Sequence, residues 1–263
     1  MPLELEQLRA ALPGLRIAWF QVTASTMIEA ARLAADDAAD IVVAEQQTAG
    51  QGRLGRSWYS EPETGLYVTL ILRPKLKPED APLLTLALGL ATAEAIARTA
   101  GLACDLRWPN DVLLADKKCA GILVEVAGGA FLAGVGINVN HERFPDELAV
   151  GATSLYLASG RRHCRERLLI ELVRAAESFT RMLVEGGREP VLRMFDRASS
   201  FARGRRVRVE VGEGLLEGVT DGLDPSGFLW LRRPDGARQL LRAGGVRPLE
   251  YTDNAAGSGR RQH

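Results

Sequence analysis

A glycine-rich loop with two arginines is the first segment whose residue types could do chemistry. Residues 50–57 read Gly-Gln-Gly-Arg-Leu-Gly-Arg-Ser. Glycines let backbone N–H groups approach a ligand closely, and the arginine fork suits a carboxylate or a phosphate. The segment therefore predicts a flexible, anion-binding loop that can open and close. The alternative is a solvated hairpin tip whose arginines, Arg53 and Arg56, are incidental.

The same loop matches the G-x-G-x-x-G dinucleotide fingerprint and nearly matches a P-loop, in which Arg56 would replace the lysine. Both motifs need a helix directly after the loop, because the helix N-terminus holds the phosphate. Residues 58–65 instead form a short turn-rich segment that leads into a predicted strand. Both interpretations are therefore disfavoured.

A second polar segment lies at residues 107–111, which read Arg-Trp-Pro-Asn-Asp, and Lys118 follows seven residues later. Lysine is rare in this chain, since only four of its 33 basic residues are lysines. A hairpin at this point could aim Asn110, Asp111 and Lys118 into one pocket. The alternative is a surface turn that carries a tandem lysine pair.

Strands and helices alternate around these segments, and each is predicted from hydrophobic periodicity and turn residues. Predicted strands cover residues 17–22, 41–43, 66–72, 105–108, 112–114, 121–126 and 131–139, and predicted helices cover 26–35, 78–99, 165–185 and 190–199. Thr26 is the expected N-cap of the first helix, with Glu29 completing a capping box. Residues 116–118 are expected to form a turn. Beyond Gly204, about five short strands predict a small β-barrel.

The composition of the 263-residue chain excludes several classes of protein. Its formal charge is zero, so no overall field attracts nucleic acid or a membrane surface. Three cysteines without a C-x-x-C pair disfavour a disulfide framework or a thiolate zinc site. The first residues lack the pattern of a signal peptide, and the apolar segment 83–97 is judged too short to span a bilayer. A cytoplasmic location is therefore expected.

In order and spacing, these segments resemble those of the biotin–protein ligases, and the resemblance covers nearly the whole chain. The matching segments are Ser25-Thr26 (Ser-Thr-Asn in the family), 47–56 (the G-R-G-R-x-G-R loop), 107–111 (K-W-P-N-D), 118–124 (K-x-x-G-I-L-V), 134–138 (G-x-G-I-N) and the C-terminal strands. Three positions depart from the family pattern: Met27 stands where the family has Asn, Gln51 where it has Arg, and Arg107 where it has Lys.

The resemblance implies an α+β fold: the mixed sheet with packed helices of class II aminoacyl-tRNA synthetases and biotin ligases, plus a small C-terminal SH3-like β-barrel. The implied domains are a catalytic, biotin- and ATP-binding domain at 1–200, the SH3-like domain at 201–250 and a flexible tail at 251–263. Because Ser25 lies so near the start, no DNA-binding helix-turn-helix and no repressor function are expected.

The activity implied by the resemblance is ligation of biotin to a protein. Biotin is activated with ATP as biotinyl-5′-AMP and then transferred to a lysine of a biotin carboxyl carrier protein, that of acetyl-CoA carboxylase. ATP, Mg²⁺ and biotin are the implied ligands, with the metal carried by ATP and Asn110 as its candidate contact. The enzyme is expected to be a monomer or a homodimer, without nucleic-acid or membrane partners.

The resemblance also assigns roles to individual residues. The catalytic candidates are Lys118 and Arg53, which would offset the charge of two anions, and Asp111, which would orient Lys118 or the incoming amine. The biotin-binding candidates are Ser25, Thr26, Gln47, Gln51, Gly52, Arg53, Lys118, Gly121, Leu123 and Gly134. The candidates for the ATP and adenylate loop are Gly50, Gly52, Arg53, Gly55, Arg56, Trp58 and Asn110.

Three other functions remain open at this stage. A lipoate or octanoate ligase or transferase shares the catalytic fold, although the Trp-Pro-Asn-Asp segment and the appended strands favour biotin. A nucleotide-binding regulator would keep the glycine loop without needing Lys118. A scaffold whose basic loop binds a protein would show no dependence on ATP.

Overall fold

The structure is a computed structural model that describes residues 2–211 and 214–249. Its helices are α1 Leu5–Ala11, α2 Thr26–Ala35, α3 Ala81–Ala100, α4 Asp146–Ala149, α5 Leu155–Ser159, α6 Arg165–Gly186 and α7 Arg188–Ala198. Its strands are β1 Ile17–Thr23, β2 Ile41–Gln47, β3 Gly65–Leu72, β4 Asp105–Arg107, β5 Asp111–Leu114, β6 Lys117–Ala127, β7 Ala130–Asn138, β8 Arg203–Val211, β9 Gly214–Leu223, β10 Leu229–Arg232, β11 Arg238–Leu241 and β12 Gly245–Pro248. The predicted tail, 251–263, lies outside the described residues.

A seven-stranded mixed sheet carries the first part of the chain. Its strand order is β1-β2-β3-β7-β6-β5-β4. The pair β1–β2 at one edge is parallel, and the other five pairs are antiparallel. This arrangement confirms the predicted mixed sheet with packed helices.

The two faces of this sheet are covered unequally. The main core lies on one face, where α3 and α6 bury leucines against strands β3 and β6. A much smaller core lies on the other face, where Met27, Ala30 and Ala34 of α2 pack on Val42 and Leu132. Because α2 is only ten residues long, it leaves part of the second face free beside β6 and β7.

Helix α3 and the 3₁₀ turn before it lie within one residue of the predicted helix 78–99. With the 3₁₀ turn before it, Pro78–Ala100 spans 23 residues and passes the length and composition test for a membrane span. The apolar segment 83–97 is therefore only part of a helix whose full length and composition would allow a span. However, 67% of its most apolar window is buried in the protein. Contact with α6 and β6 accounts for this apolar surface.

The start of α2 differs from its prediction by one residue. Ser25, not Thr26, is the N-cap: its backbone is extended and its hydroxyl accepts from Met27 N at 3.2 Å. Glu29 consequently lies one position too late for a capping box. Its carboxylate instead accepts from the Thr23 hydroxyl and pairs with Arg32. The Thr26 hydroxyl therefore has no capping role and instead bonds to Gln47 and Thr69.

The C-terminal strands form a five-stranded antiparallel sheet in the order β11-β10-β9-β8-β12. The predicted number of strands is confirmed. Within the described residues the sheet is open, since no ladder joins β11 to β12, so barrel closure is not confirmed. The Trp108 indole N–H donates to the Gly227 carbonyl at 2.9 Å. The two sheets are thus joined beside the predicted Trp-Pro-Asn-Asp segment.

His141 makes the stability of this fold sensitive to acid. Its ring is fully buried, stacks on Phe144 at 5.1 Å, and places Nε2 3.3 Å from the Tyr67 hydroxyl. Burial lowers the pKa of His141 from 6.5 to about 4. The unfolded chain therefore takes up this proton first, and stability is lost as the pH falls from 6.5 towards 4.

We expect His141 to account for a loss of about 2 kcal/mol in the free energy of unfolding between about pH 7.5 and pH 5. Urea denaturation at both pH values should show a smaller loss for His141→Gln, which cannot take up the proton. The same pH dependence in the variant and the wild type would contradict the assignment.

Candidate active site

Glycines form the floor of a cavity on the free part of the sheet. In the β6–β7 register, Gly121 faces Gly136 and Leu123 faces Gly134, so all four residues point to the same side of the sheet. A Cβ at Gly134 would lie 2.8 Å from Met27 Sδ, and a Cβ at Gly136 would overlap the Trp58 indole. The missing side chains therefore make room for Met27 and Trp58 over the strands.

Lys118, Asp111 and Arg107 form one charged cluster at the edge of this floor. Lys118 Nζ lies 2.5 Å from one Asp111 oxygen, and Arg107 Nη2 lies 2.7 Å from the other. Burial alone would raise the pKa of Asp111, but the two cations outweigh it and hold that pKa below its usual value. Asp111 is therefore an anion in contact with both Lys118 and Arg107.

Lys118 lies in a strand, not in the predicted turn. The turn is made by Ala115 and Asp116, both with positive φ, and β6 begins at Lys117. The Lys118 backbone donates to the Gly151 carbonyl at 2.8 Å and accepts from Thr153 N at 2.9 Å. Its ammonium group lies 5.3 Å from the centre of the Trp58 ring. Both the backbone and the tip of this lysine are therefore held in place.

The glycine loop closes on itself and lines the same cavity. Gly52 N donates to the Arg56 carbonyl at 2.7 Å, and Arg53–Gly55 forms a 3₁₀ turn in which Leu54 has a φ of 58°. Arg53 Nη1 lies 3.5 Å from Asn110 Oδ1. Desolvation lowers the pKa of Arg53, although Asp111 acts in the opposite direction. Among the described residues no carboxylate lies within 4 Å of Arg53, so its charge is available to an anion.

A chain of hydrogen bonds includes two polar residues of the cavity lining, Thr26 and Gln47. Gln47 Oε1 accepts from Thr26 N at 2.8 Å and from the Thr26 hydroxyl at 3.1 Å, and its Nε2 donates to Ser60 Oγ at 3.0 Å. The Thr69 hydroxyl in turn donates to Thr26 Oγ1 at 2.9 Å. This preformed polar network suits a ligand with a few amide-like groups.

The structure gathers most of the predicted site residues around this cavity. Those that line it are Thr26, Gln47, Gln51, Gly52, Arg53, Arg56, Trp58, Asn110, Asp111, Lys118, Gly121, Leu123 and Gly134. Ser25, Gly50 and Gly55 do not line it: Ser25 is a buried helix cap, and Gly50 packs under the Trp58 carbonyl. The convergence of Asn110, Asp111 and Lys118 is confirmed, whereas the roles of individual residues stay predictions.

Several lining residues were missed by the sequence analysis. Gly136 and Tyr67 come from β7 and β3, and Gly244, Gly245 and Val246 come from the C-terminal sheet. The Gly244-Gly245 pair was a visible signal, but nothing local to it indicates which part of the chain it faces. Within residues 2–211 and 214–249, no group of three His, Cys, Asp or Glu side chains could hold a metal ion. A protein-built metal cage is therefore not a feature of this site.

Gly121→Ala should reduce catalysis without unfolding the protein. The added methyl would lie 2.9 Å from the Trp58 ring and 3.0 Å from Lys118 Cε and Nζ, so the two side chains must shift. For the adenylation that the sequence resemblance implies, we expect the rate to fall about tenfold, because a small misplacement of a charged group is costly.

The measurement is the rate of ATP–pyrophosphate exchange, with Gly186→Ala as the control. A methyl at Gly186 meets nothing closer than 3.5 Å and lies at the end of α6, outside the cavity lining. Equal exchange rates in the two variants would show that Lys118 and Trp58 tolerate displacement.

Known proteins with this arrangement form a consistent group. The model of the Biotin/lipoate A/B protein ligase family matches residues 19–142. The biotin--[acetyl-CoA-carboxylase] ligase of Mycobacterium tuberculosis is 35% identical, with 88% of this chain and 90% of the relative covered. The Paracoccus denitrificans protein of the same name is 36% identical, with coverages of 85% and 97%. The bifunctional ligase/repressor BirA of Bacillus subtilis is 33% identical, with coverages of 90% and 75%.

Solved structures agree with these sequence relatives. The biotin protein ligase from Aquifex aeolicus in complex with biotin and ATP superposes with a TM-score of 0.79 at 28% identity, and 89% of this chain and 99% of that chain are covered. The biotin protein ligase from Leishmania major in complex with biotinyl-5-AMP gives a TM-score of 0.62 at 28% identity, with coverages of 88% and 100%.

Proposed function

The chain belongs to the biotin protein ligase family, and on that premise we propose that it activates biotin with ATP and transfers it to a carrier protein. Biotinyl-5′-AMP is the intermediate, and a lysine of a biotin carboxyl carrier protein is the acceptor. The observation that carries this proposal is the convergence of Lys118 and Arg53 on one glycine-floored cavity, with Thr26 and Gln47 as polar residues in its lining.

The first half-reaction must bring two anions into contact. A biotin carboxylate oxygen bonds to the α-phosphorus of ATP, and the bond from that phosphorus to the bridging oxygen breaks to release pyrophosphate. Like charges about 4 Å apart repel by about 4 kcal/mol at the effective dielectric of a partly buried site. Lys118 and Arg53 offset this repulsion, and they stabilise the charge that builds up on the α-phosphate.

In the second half-reaction the same two cations, Lys118 and Arg53, stabilise the AMP anion that leaves. The neutral amine of the carrier lysine attacks the biotinyl carbonyl, its C–N bond forms, and the C–O bond to AMP breaks. The amine gives up a proton to solvent water, and AMP leaves as an anion beside Lys118. Asp111 has both oxygens engaged by Lys118 and Arg107, which supports an orienting role over that of a proton acceptor.

Magnesium would enter with the phosphates of ATP. Its hard, oxygen-seeking character suits phosphate, and it would balance the charge of the departing pyrophosphate. Asn110 is the candidate protein contact, although its side chain lies beside Arg53 and donates to the Ile122 carbonyl at 2.9 Å. The protein itself contributes the cationic side chains of Lys118 and Arg53 and the walls of the cavity.

For the ligands, biotin would place its ureido group against Thr26 and Gln47 and its apolar chain over Leu123 and the glycine floor. ATP would approach Arg53, Arg56 and Trp58. Shielding of the adenylate from water would come from the glycine loop. The side-chain hydrogen bonds that link Thr69 through Thr26 and Gln47 to Ser60 support this orientation, because they fix the directions of the hydroxyl and amide groups.

The same proposal includes the carrier protein, the cellular location and the division into domains. The carrier would be the biotin carboxyl carrier of acetyl-CoA carboxylase, as the names of two relatives suggest. The reaction would take place in the cytoplasm. The chain would divide into a catalytic part at 1–200 and a small C-terminal domain at 201–250 that closes as an SH3-like barrel.

Intact mass spectrometry tests the function directly. The protein is incubated with ATP, Mg²⁺, biotin and a biotin carboxyl carrier domain, and the carrier should gain one biotinyl group only when ATP is present. A parallel reaction offers lipoate or octanoate in place of biotin. Modification by those acids alone would make the chain a lipoate or octanoate ligase, and no dependence on ATP would remove the ligase assignment.

A further inference from the structure

One ion-pair cluster joins the glycine loop to the C-terminal sheet. The Arg56 guanidinium pairs with Oε2 of Glu210, and Oε1 of the same carboxylate lies 3.2 Å from Arg247 Nε. Glu210 belongs to β8 and Arg247 to β12, and the two strands are paired so that Glu210 faces Gly245. The Glu210 carboxylate, which lies 154 positions after Arg56 in the chain, thus contacts both the loop residue Arg56 and Arg247 of β12.

Arg56 is the member of this cluster that lines the cavity. Gly244, Gly245 and Val246 line the same cavity as Arg56 and Ser57. A Cβ at Gly244 would lie 2.8 Å from the Glu210 carbonyl, and a Cβ at Gly245 would lie 3.7 Å from both Arg56 Nη1 and Glu210 Oε2. The two glycines therefore let β12 approach closely enough for the sheet and the loop to share one rim.

We propose that Glu210 is a positioning residue for the adenylation site, and this inference rests on the proposed function. Glu210 holds Arg56, and through it the glycine loop, against the C-terminal sheet, so that the loop covers ATP and the adenylate. Glu210 itself lines no part of the cavity. It acts only through Arg56, and a change at Glu210 should alter nucleotide retention more than the chemical step.

The Arg56–Glu210 ion pair contributes little to the free energy of folding, so its effect on the loop can be tested separately from stability. The side chains of Arg56 and Glu210 are 55% and 35% exposed, and exposed pairs of this kind contribute little to the folding free energy. Loss of the pair should therefore leave the fold intact. In contrast, loss of the loop's anchor changes the geometry that the loop imposes on a bound nucleotide.

The test compares Glu210→Gln with Glu217→Gln as a matched control. Glu217 pairs with Arg208 at 2.7 Å on the same sheet, and these side chains are similarly exposed at 46% and 48%. We expect Glu210→Gln to raise KM for ATP about three- to tenfold and to release more biotinyl-AMP into solution, with kcat for adenylation and the melting temperature little changed. Glu217→Gln should match the wild type, and Glu210→Asp should recover part of the loss.

A double-mutant cycle with Arg56→Gln separates positioning from a general structural effect. In the Arg56→Gln background, Glu210→Gln should have no further effect on KM, because both changes remove the same contact. Additive effects, or a Glu210→Gln variant equal to Glu217→Gln, would overturn the inference while leaving the ligase function in place. A wild-type protein that forms no biotinyl-AMP would overturn the proposed function and this inference together.

Discussion

Lys118→Ala is expected to lower biotinyl-AMP formation by about 10²–10³-fold. Lys118 is the ammonium group that lies at the cavity edge, 2.5 Å from Asp111 and 5.3 Å from the Trp58 ring centre. Without it, biotin carboxylate and the α-phosphate would meet with only Arg53 to offset their repulsion. The charge that develops in the transition state would lose its main partner, so the loss should appear in kcat.

The measurement is ATP–pyrophosphate exchange dependent on biotin, with circular dichroism and thermal melting to confirm folding. Lys117→Ala is the matched control, since Lys117 is the exposed neighbour in β6 and does not line the cavity. Lys118→Arg should recover only part of the activity, because a guanidinium keeps the charge but not the shape of an ammonium group. Unchanged exchange in Lys118→Ala would show that the ammonium group of Lys118 is not the main cation of the adenylation step.

Asp111→Asn is expected to lower adenylate formation by about 10²-fold, with a smaller effect on KM for biotin. The amide keeps the shape of the carboxylate but loses its charge, so Lys118 and Arg107 no longer share an anion. Two neighbouring cations would then repel each other at the edge of the site. We expect a loss of about 1–3 kcal/mol in the free energy of unfolding as well.

Urea denaturation and exchange kinetics check both parts of this expectation, and Asp116→Asn serves as the control. Asp116 lies in the preceding turn, is largely exposed, and is 3.9 Å from Arg205. Because the folded-state pKa of Asp111 lies below its unfolded value, its stabilising effect is present above the unfolded pKa and is lost as the pH falls through the folded one. Asp111→Asn should remove that part of the acid sensitivity; a full-rate, fully stable variant would exclude the orienting role.

The sequence was a good guide to the site wherever the contributing residues are close together in the chain. Asn110, Asp111 and Lys118 belong to one small hairpin, so their convergence follows from local geometry alone. The position of Lys118 was harder to predict, because the turn tightens onto Ala115 and Asp116, which adopt positive φ without being glycines. Backbone conformation, rather than residue type, decided where β6 begins.

The cap of α2 shows a second limit of sequence analysis. Ser25 and Thr26 are both good N-cap residues, and only the extended backbone at Ser25 decides between them. Helix α1 was not predicted at all, because seven residues with one buried side chain, Leu8, give too weak a periodic signal. Packing on α6 supplies what the local pattern lacks.

Long-range contacts set the third limit. Each glycine of the cavity floor is visible in the sequence, but only the strand register shows that Gly121 and Gly136 lie opposite one another. The participation of Glu210 and the Gly244-Gly245 pair depends on how the C-terminal sheet meets the loop. No spacing within either segment carries that information.

The bare floor of the cavity has a consequence for how this enzyme could change its choice of acid. At the glycine positions every substitution adds side-chain atoms, so evolution or design can only narrow the cavity there. Enlargement would have to come from lining residues that still have side-chain atoms to lose, such as Met27 over Gly134 and Leu123 beside it in the sheet. A laboratory search for variants that accept bulkier acids should therefore randomise these two residues and leave Gly121, Gly134 and Gly136 untouched.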